Sequence, residues 1–296
     1  ERPTLAQAIL AQVLVRRKAT ALDISSQTRL QRIRIRVTMA VSRSGKTYFI
    51  TGGASGLGLA AAKLLVSQGA CVGLADRNAE EGKKIEQELG ERCLFVEVDV
   101  TQKESMRAGV RATVDKFGSL NGVVNCAGVG SAFTTIDKKL EPHSDQFWTF
   151  VNSINLNGTF YGSTEGASAM AKLDADSEGN RGVIINVASV AAFEGQKGQL
   201  AYSASKGAIV GMTLPMARDL ARYGIRVMTI APGIIDTPLM RSTAPKVQEN
   251  LLASVAGPKR FGKAEEFAQL VASIIDNGYL NGETIRMDGG IRFSNL

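Results

Sequence analysis

One histidine, three cysteines and one tryptophan in 296 residues close off several common chemistries. A lone His143 excludes His-rich zinc sites and argues against a Ser-His-Asp hydrolase. Lying in a polar segment, it reads as a surface loop residue. Cys71, Cys93 and Cys126 have no paired spacing for a metal or a disulfide framework, which is consistent with a reducing compartment. No apolar run approaches about eighteen residues, so no membrane span is expected. Internal repeats, low-complexity tracts and Pro/Ser/Gly linkers are also missing, and the length then suits one large α/β domain with a substantial core.

Acidic residues are scarce at one end only. The net charge is +7, and residues 1–38 supply most of it, with Arg and Lys side chains far outnumbering Glu1 and Asp23. The near-neutral remainder offers no electrostatic footprint for nucleic acid across a folded domain, so nucleic-acid binding is a minor hypothesis. The head is rich in Arg, Ala and Leu, and Leu5, Ile9, Leu10 and Val13 have helical spacing, a combination that resembles a mitochondrial transit peptide. The rival readings are a disordered extension, or upstream sequence ahead of a true start at Met39, with a cytoplasmic location as the alternative. The chain is thereby divided into a basic extension, 1–38, and a folded domain, 39–296. Ser294-Asn295-Leu296 only approaches a peroxisomal address, because the lysine is missing.

What is present is concentrated at strand ends. Thr47-Tyr48-Phe49-Ile50 reads as a short strand leading into Thr51-Gly52-Gly53-Ala54-Ser55-Gly56-Leu57-Gly58. A helix with apolar Ala60, Ala61, Leu64 and Leu65 follows, then a strand from Cys71 to Ala75 that ends at Asp76, a βαβ opening. Glycines at such a turn let the backbone approach a pyrophosphate, and the helix aims free N–H groups and its positive dipole end at the phosphates. Gly56-x-Gly58-x-x-Ala61 satisfies the dinucleotide fingerprint, with Asp76 about twenty residues on. The Asp76 carboxylate can accept from the adenosine ribose hydroxyls and repel the extra phosphate of NADP, which favours NAD. Arg77 beside it could instead pair with that phosphate. Two further strands, 93–98 and 122–124, end at Asp99-Val100 and at Asn125-Cys126-Ala127-Gly128. Asp99 suits an adenine amino group, while Ala127 and Gly128 let a cofactor lie against the backbone. Cys126 reads as a small packing residue, with no cationic partner evident to make it a nucleophile.

The β-branched run Val183-Ile184-Ile185-Asn186-Val187 suits a buried parallel strand that ends near Ser189. Tyr202 and Lys206, spaced i and i+4, share one face of a helix beginning near Ala201. An ammonium beside a phenol favours the phenolate, which would bring Tyr202 into a range where it exchanges a proton with an alcohol. Ser189 would hold the same oxygen while a hydride leaves or arrives at the adjoining carbon. Ala201, Ala204, Gly207, Ala208 and Gly211 give that helix a smooth side suited to close packing against another helix.

Together, Thr51-Gly52-x-x-x-Gly56-x-Gly58, Asn125-x-Ala127-Gly128, Ser189, Tyr202-x-x-x-Lys206 and Pro232-Gly233 resemble the short-chain dehydrogenase/reductase family over residues 47–290. The phrases spanning 181–186, 188–196 and 211–215 further resemble its type II 3-hydroxyacyl-CoA dehydrogenase branch, also called 17β-hydroxysteroid dehydrogenase type 10. The resemblance implies a Rossmann-like, doubly wound parallel sheet of about seven strands with helices on both faces. It also implies NAD as cofactor, no metal, and a homotetramer in fatty acid metabolism. Tyr202 would be the acid/base, Lys206 would bind the nicotinamide ribose and tune Tyr202, and Ser189 would hold the substrate oxygen. Asn155 matches the position where an interrupted helix places a water in a proton relay. Gly52, Ser55, Gly56, Leu57, Gly58, Asp76, Asp99, Val100, Cys126, Ala127, Gly128, Tyr202, Lys206, Pro232, Gly233 and Ile235 fall at or beside cofactor-contacting positions, with Ile235 replacing an expected aromatic.

The implied activity is NAD-dependent interconversion of a 3-hydroxyacyl-CoA and a 3-oxoacyl-CoA. A hydroxysteroid or another apolar secondary alcohol would be served by the same chemistry, and a scaffold in an RNA-processing complex is the reading from another class. Residues 129–146 are more than a minimal short-chain enzyme needs. Lys138 and Lys139 there could meet CoA phosphates or simply be solvated. Ile234, Ile235, Leu239 and Met240 could form a lid over an acyl chain or a steroid, or pack in the ordinary way.

Overall fold

The computed structural model describes residues 43–130 and 132–293, so the basic head, Met39 and Ser294-Asn295-Leu296 lie outside the described residues. From Gly45 onward the chain forms one unit. Alternating strands and helices build it: β1 (Thr47–Thr51), α1 (Gly56–Ser67), β2 (Cys71–Asp76), α2 (Ala79–Leu89), β3 (Cys93–Glu97), α3 (Lys103–Phe117) and β4 (Gly122–Asn125). Next come α4 (Asp145–Asn152), a π-turn (Ser153–Asn157), α5 (Gly158–Met170), β5 (Gly182–Val187) and α6 (Leu200–Ala221). The remaining elements are β6 (Ile225–Pro232), α7 (Pro238–Arg241), α8 (Pro245–Ala253), α9 (Ala264–Asp276) and β7 (Thr284–Met287).

The strands form one seven-stranded sheet in the order β3-β2-β1-β4-β5-β6-β7, and the pairings are parallel. β1 is wholly buried, as the apolar strand residues require when helices cover both faces. Its side chains alternate between two cores. Tyr48 and Ile50 join Leu65 of α1, Leu74 of β2 and Phe267 of α9 on one face. Phe49 joins Met106 of α3, Met170 of α5 and Ile184 of β5 on the other. Phe49 is fully enclosed, so truncation to Ala would cost about 3–5 kcal/mol.

This topology positions the site. The chain runs outward from β1 to β3 and then returns to start β4 on the other side of β1. Connections after β1 and β4 therefore diverge, opening a crevice at the carboxyl ends of these strands. The glycine loop, Asp76, Asn125 to Gly128 and Ser189 all follow the ends of their strands on that edge. Among the described residues no helix is long and apolar enough to cross a membrane.

Candidate active site

The loop after β1 is shaped by close backbone approaches. Gly52 has φ +64, and a Cβ there would lie 2.9 Å from the Ala127 backbone; a Cβ at Gly58 would collide with the Gly52 carbonyl. The loop is braced by backbone and side-chain bonds: Gly53 N donates to Ala75 O at 3.1 Å, Ala54 N to Asp76 Oδ2 at 3.0 Å, and Ala127 N to Thr51 Oγ1 at 3.2 Å. Asp76 also accepts from Asn78 N at 3.0 Å. Its carboxylate thus shapes the loop as well as facing the crevice, a structural duty the sequence does not reveal.

Ser55 precedes α1 in extended conformation with no side-chain cap, so the helix presents its first N–H groups, flanked by Gly56, Leu57 and Gly58. This cradle fits a dinucleotide pyrophosphate, because Cβ atoms at Gly52 or Gly58 would fill or distort it. Asp99 is exposed and uses Oδ1 to accept from Thr101 N and Oγ1, while Val100 packs against Gly158 at the start of α5. Facing the cradle, Gly56 lies within 3.6 Å of Thr237 by the position of an added Cβ, which brings the segment after Pro232-Gly233 opposite the glycine loop.

Ser189, Tyr202 and Lys206 come together beyond the end of β5. Ser189 Oγ caps a short 3₁₀ turn by accepting from Ala191 N at 3.1 Å. Lys206 is buried on α6, donates to Val187 O at 2.8 Å, and places Nζ 5.7 Å from the Tyr202 ring centroid. Asn155 lies fully buried in the π-turn. Its side chain accepts from Val129 N at 2.8 Å and donates to Val129 O at 3.0 Å and Ser205 Oγ at 3.2 Å. Gly128 is the common neighbour: a Cβ there would sit 3.3 Å from Asn155 Oδ1 and 3.5 Å from Lys206 Nζ.

The electrostatics correct one expectation. Burial pushes the Tyr202 phenol up from its ordinary value, with the Ser189 hydroxyl pulling the other way, and burial pushes Lys206 down to about 8. The i, i+4 spacing supplies proximity, but desolvation of both groups outweighs it in the protein alone. Tyr202 therefore rests as a neutral phenol, the form that can give a proton to a ketone oxygen. Burial also pushes Cys126 up to about 12 despite the nearby Lys206 charge, as befits a packing residue.

His143 departs from the surface-loop expectation. It is half-buried among Phe133, Phe147 and Trp148, with ring centroids 5.8, 6.1 and 6.3 Å away. Its Nδ1–H donates to Ser144 O at 3.0 Å. Clustering of residues from a loop and a helix, which no local pattern signals, draws it inward. Ile234 and Ile235 pack in the ordinary way, Ile235 against Gly262, whereas Leu239 is exposed. Lys138 and Lys139 are exposed in a turn. The smooth side of α6 remains open at Ala204 and Gly211.

Sequence reasoning missed a buried polar knot beneath the site. Asn125 Nδ2 donates to Asn186 Oδ1 at 2.9 Å and Ser163 Oγ at 3.1 Å, tying the ends of β4 and β5 to α5. The available signal was an Asn at the matching position of two apolar strands, paired in register.

A family model described as short chain dehydrogenase matches residues 46–248. The chain is 50% identical over 252 residues to 3-hydroxyacyl-CoA dehydrogenase type-2 of Bos taurus, covering 85% of this chain and 97% of that protein. The Drosophila melanogaster protein of the same name is 47% identical over 245 residues, covering 82% and 96%. Among solved structures, 3-hydroxyacyl-CoA dehydrogenase type-2 from Mycobacterium avium superposes with a TM-score of 0.82 at 37% identity, covering 86% of this chain and 100% of that one. A 3-ketoacyl-(acyl-carrier-protein) reductase from Brucella melitensis, complexed with NADH, gives 0.75 at 27% identity, covering 83% and 98%.

Proposed function

The chain belongs to the short-chain dehydrogenase family, and from that premise we propose that it interconverts a 3-hydroxyacyl-CoA and a 3-oxoacyl-CoA with NAD as cofactor. It is an oxidoreductase acting on CH–OH groups and uses a nicotinamide cofactor. The observation that carries the proposal is the convergence of Ser189, Tyr202 and Lys206 beyond β5, in a chain half identical to 3-hydroxyacyl-CoA dehydrogenases over nearly their whole length.

Ser189 and Tyr202 grip the substrate oxygen, and Tyr202 moves its proton. In the reductive direction the neutral phenol donates directly. In the oxidative direction it must first release its proton through the relay, and the positive charge that Lys206 carries below about pH 8 favours the phenolate left behind. A nicotinamide held at the cradle would supply the hydride acceptor or donor for the substrate carbon. Asn155 contributes by holding Gly128-Val129 against α6 and the π-turn, where the proton relay would run. Gly52, Ser55, Gly56, Leu57 and Gly58 would hold the pyrophosphate. Asp76, Asp99, Val100 and Cys126 to Gly128 would line its adenosine side, and Pro232, Gly233 and Ile235 its nicotinamide side. Asp76 repels a 2′-phosphate and so supports NAD over NADP.

The same reading assembles the protein as a homotetramer. It is supported by apolar side chains left exposed at Phe150, Phe160 and Leu214, the last on α6, whose small-residue side is open at Ala204 and Gly211. Light scattering on purified protein checks this.

The decisive assay is NADH oxidation with acetoacetyl-CoA, beside NADPH and a Tyr202→Phe variant. An NADH-dependent rate lost in the variant supports substrate and base together. Tight NADH binding without turnover redirects the substrate search to hydroxysteroids and other apolar alcohols.

A further inference from the structure

Between Ser189 and Tyr202 the chain makes a loop with one acidic residue, Glu194, and three separate groups reach it. Arg286 of β7 donates to its two oxygens at 2.9 and 3.3 Å, Phe293 N donates at 3.3 Å, and Arg292 Nε lies 3.4 Å away. Arg286 in turn binds Asp288 Oδ2 at 2.8 Å and Ile291 O at 3.1 Å, and its guanidinium stands 5.3 Å over the Phe193 ring. Arg292 closes the cluster on Asp288 at 3.1 Å.

An exposed ion pair of this kind would contribute little, but here a forked arginine meets a carboxylate inside a half-buried network. The Arg286 guanidinium holds the Glu194 carboxyl below its usual range, so it stays charged throughout the neutral region. Beneath the charges, buried Val190 and Ile291 pack with Ile234 and Phe293. Arg286 and Asp288 also line, with Ile234 and Ile235, an open pocket of about 430 Å³, so packing alone leaves this side unfilled.

We propose that Glu194 is a positioning residue, which, gripped by Arg286 and Arg292, fixes the loop running from Ser189 to the first turn of α6. This rests on the dehydrogenase reading, since what it positions is the pair that grips the substrate oxygen. A small misplacement of such groups is enough to slow proton transfer while leaving binding nearly intact.

The test is Glu194→Gln, which keeps shape and removes charge. With acetoacetyl-CoA and NADH, kcat falls about tenfold while KM and the NADH Kd stay within about twofold. Amide exchange over residues 190–199 quickens, and Glu194→Asp restores part of kcat. If Glu194→Gln fails to fold, Arg292→Gln, at an exposed side chain, is expected to show the same split at about threefold. Unchanged kcat in a folded variant overturns positioning, even if its melting point drops. Unchanged exchange overturns the clamp whether or not the wild type reduces acetoacetyl-CoA. An inactive wild type whose variant exchanges faster supports the clamp and defeats only the substrate assignment.

Discussion

The two sides of the crevice are made of different materials. On the β1–β2 side the site is backbone: glycines pressed against neighbouring peptides, braced by main-chain bonds and by Asp76 a short distance along the chain. On the β5–β7 side it is side chains, desolvated or ion-paired, whose partners can be as far apart as Glu194 and Arg286. Backbone contacts have no adjustable parts, so that side holds one shape. The side-chain half depends on charge and burial, and its properties shift with pH and with remote substitution.

The largest expected effect lies on the side-chain half. Tyr202→Phe is expected to lower kcat by about 10³-fold, roughly 4 kcal/mol of barrier, with NADH affinity measured by fluorescence nearly unchanged. On the backbone half, Gly58→Ala forces a methyl group into the Gly52 carbonyl. A loss of about 3 kcal/mol in stability together with weakened NADH binding is expected from thermal melts and titration.

The third prediction concerns pH. Folding lowers Lys206 from 10.5 to about 8, so between those values the unfolded chain holds a proton that the folded chain has released, and this group makes stability rise with pH across that window. Cys93 and Cys126, raised from 9.0 to about 12, oppose it above about pH 9. Denaturant titrations of wild type against Lys206→Met isolate the lysine. The variant is expected to be the more stable at pH 7, by on the order of 3 kcal/mol, with the gap closing toward pH 10.5. The smallest effect belongs to Lys138→Ala/Lys139→Ala. Both side chains are exposed, so KM for acetoacetyl-CoA should change by less than about threefold and only at low salt.

The same division decides what could be read from the sequence. Strands β1, β2, β4 and β5, the fingerprint turn and the Tyr202-Lys206 face follow from local period and spacing, and they fold as read. The direction of the Tyr202 shift could not be read, because burial belongs to the folded chain. Neither could the half-buried place of His143, built from a loop and a helix with no shared period; for the Asn125–Asn186 pairing the sequence offers an Asn near the end of each apolar strand, and the strand register joins them. The Glu194 cluster spans 92 residues to Arg286, beyond the reach of any local pattern.

Because β1 lies inside the sheet and later strands add outward on either side of it, the protein grows on the ribosome without threading a strand between two others already paired. The loops after β1, β2 and β4, one wall of the dinucleotide site, emerge first. Ser189 and Tyr202 emerge later, and β7 with the residues through Phe293 that brace their loop emerge after both. α1, which carries the glycine loop, packs with Phe267 of α9, so a product stalled or clipped before α9 lacks the packing that supports that loop as well as the braces of the reacting pair.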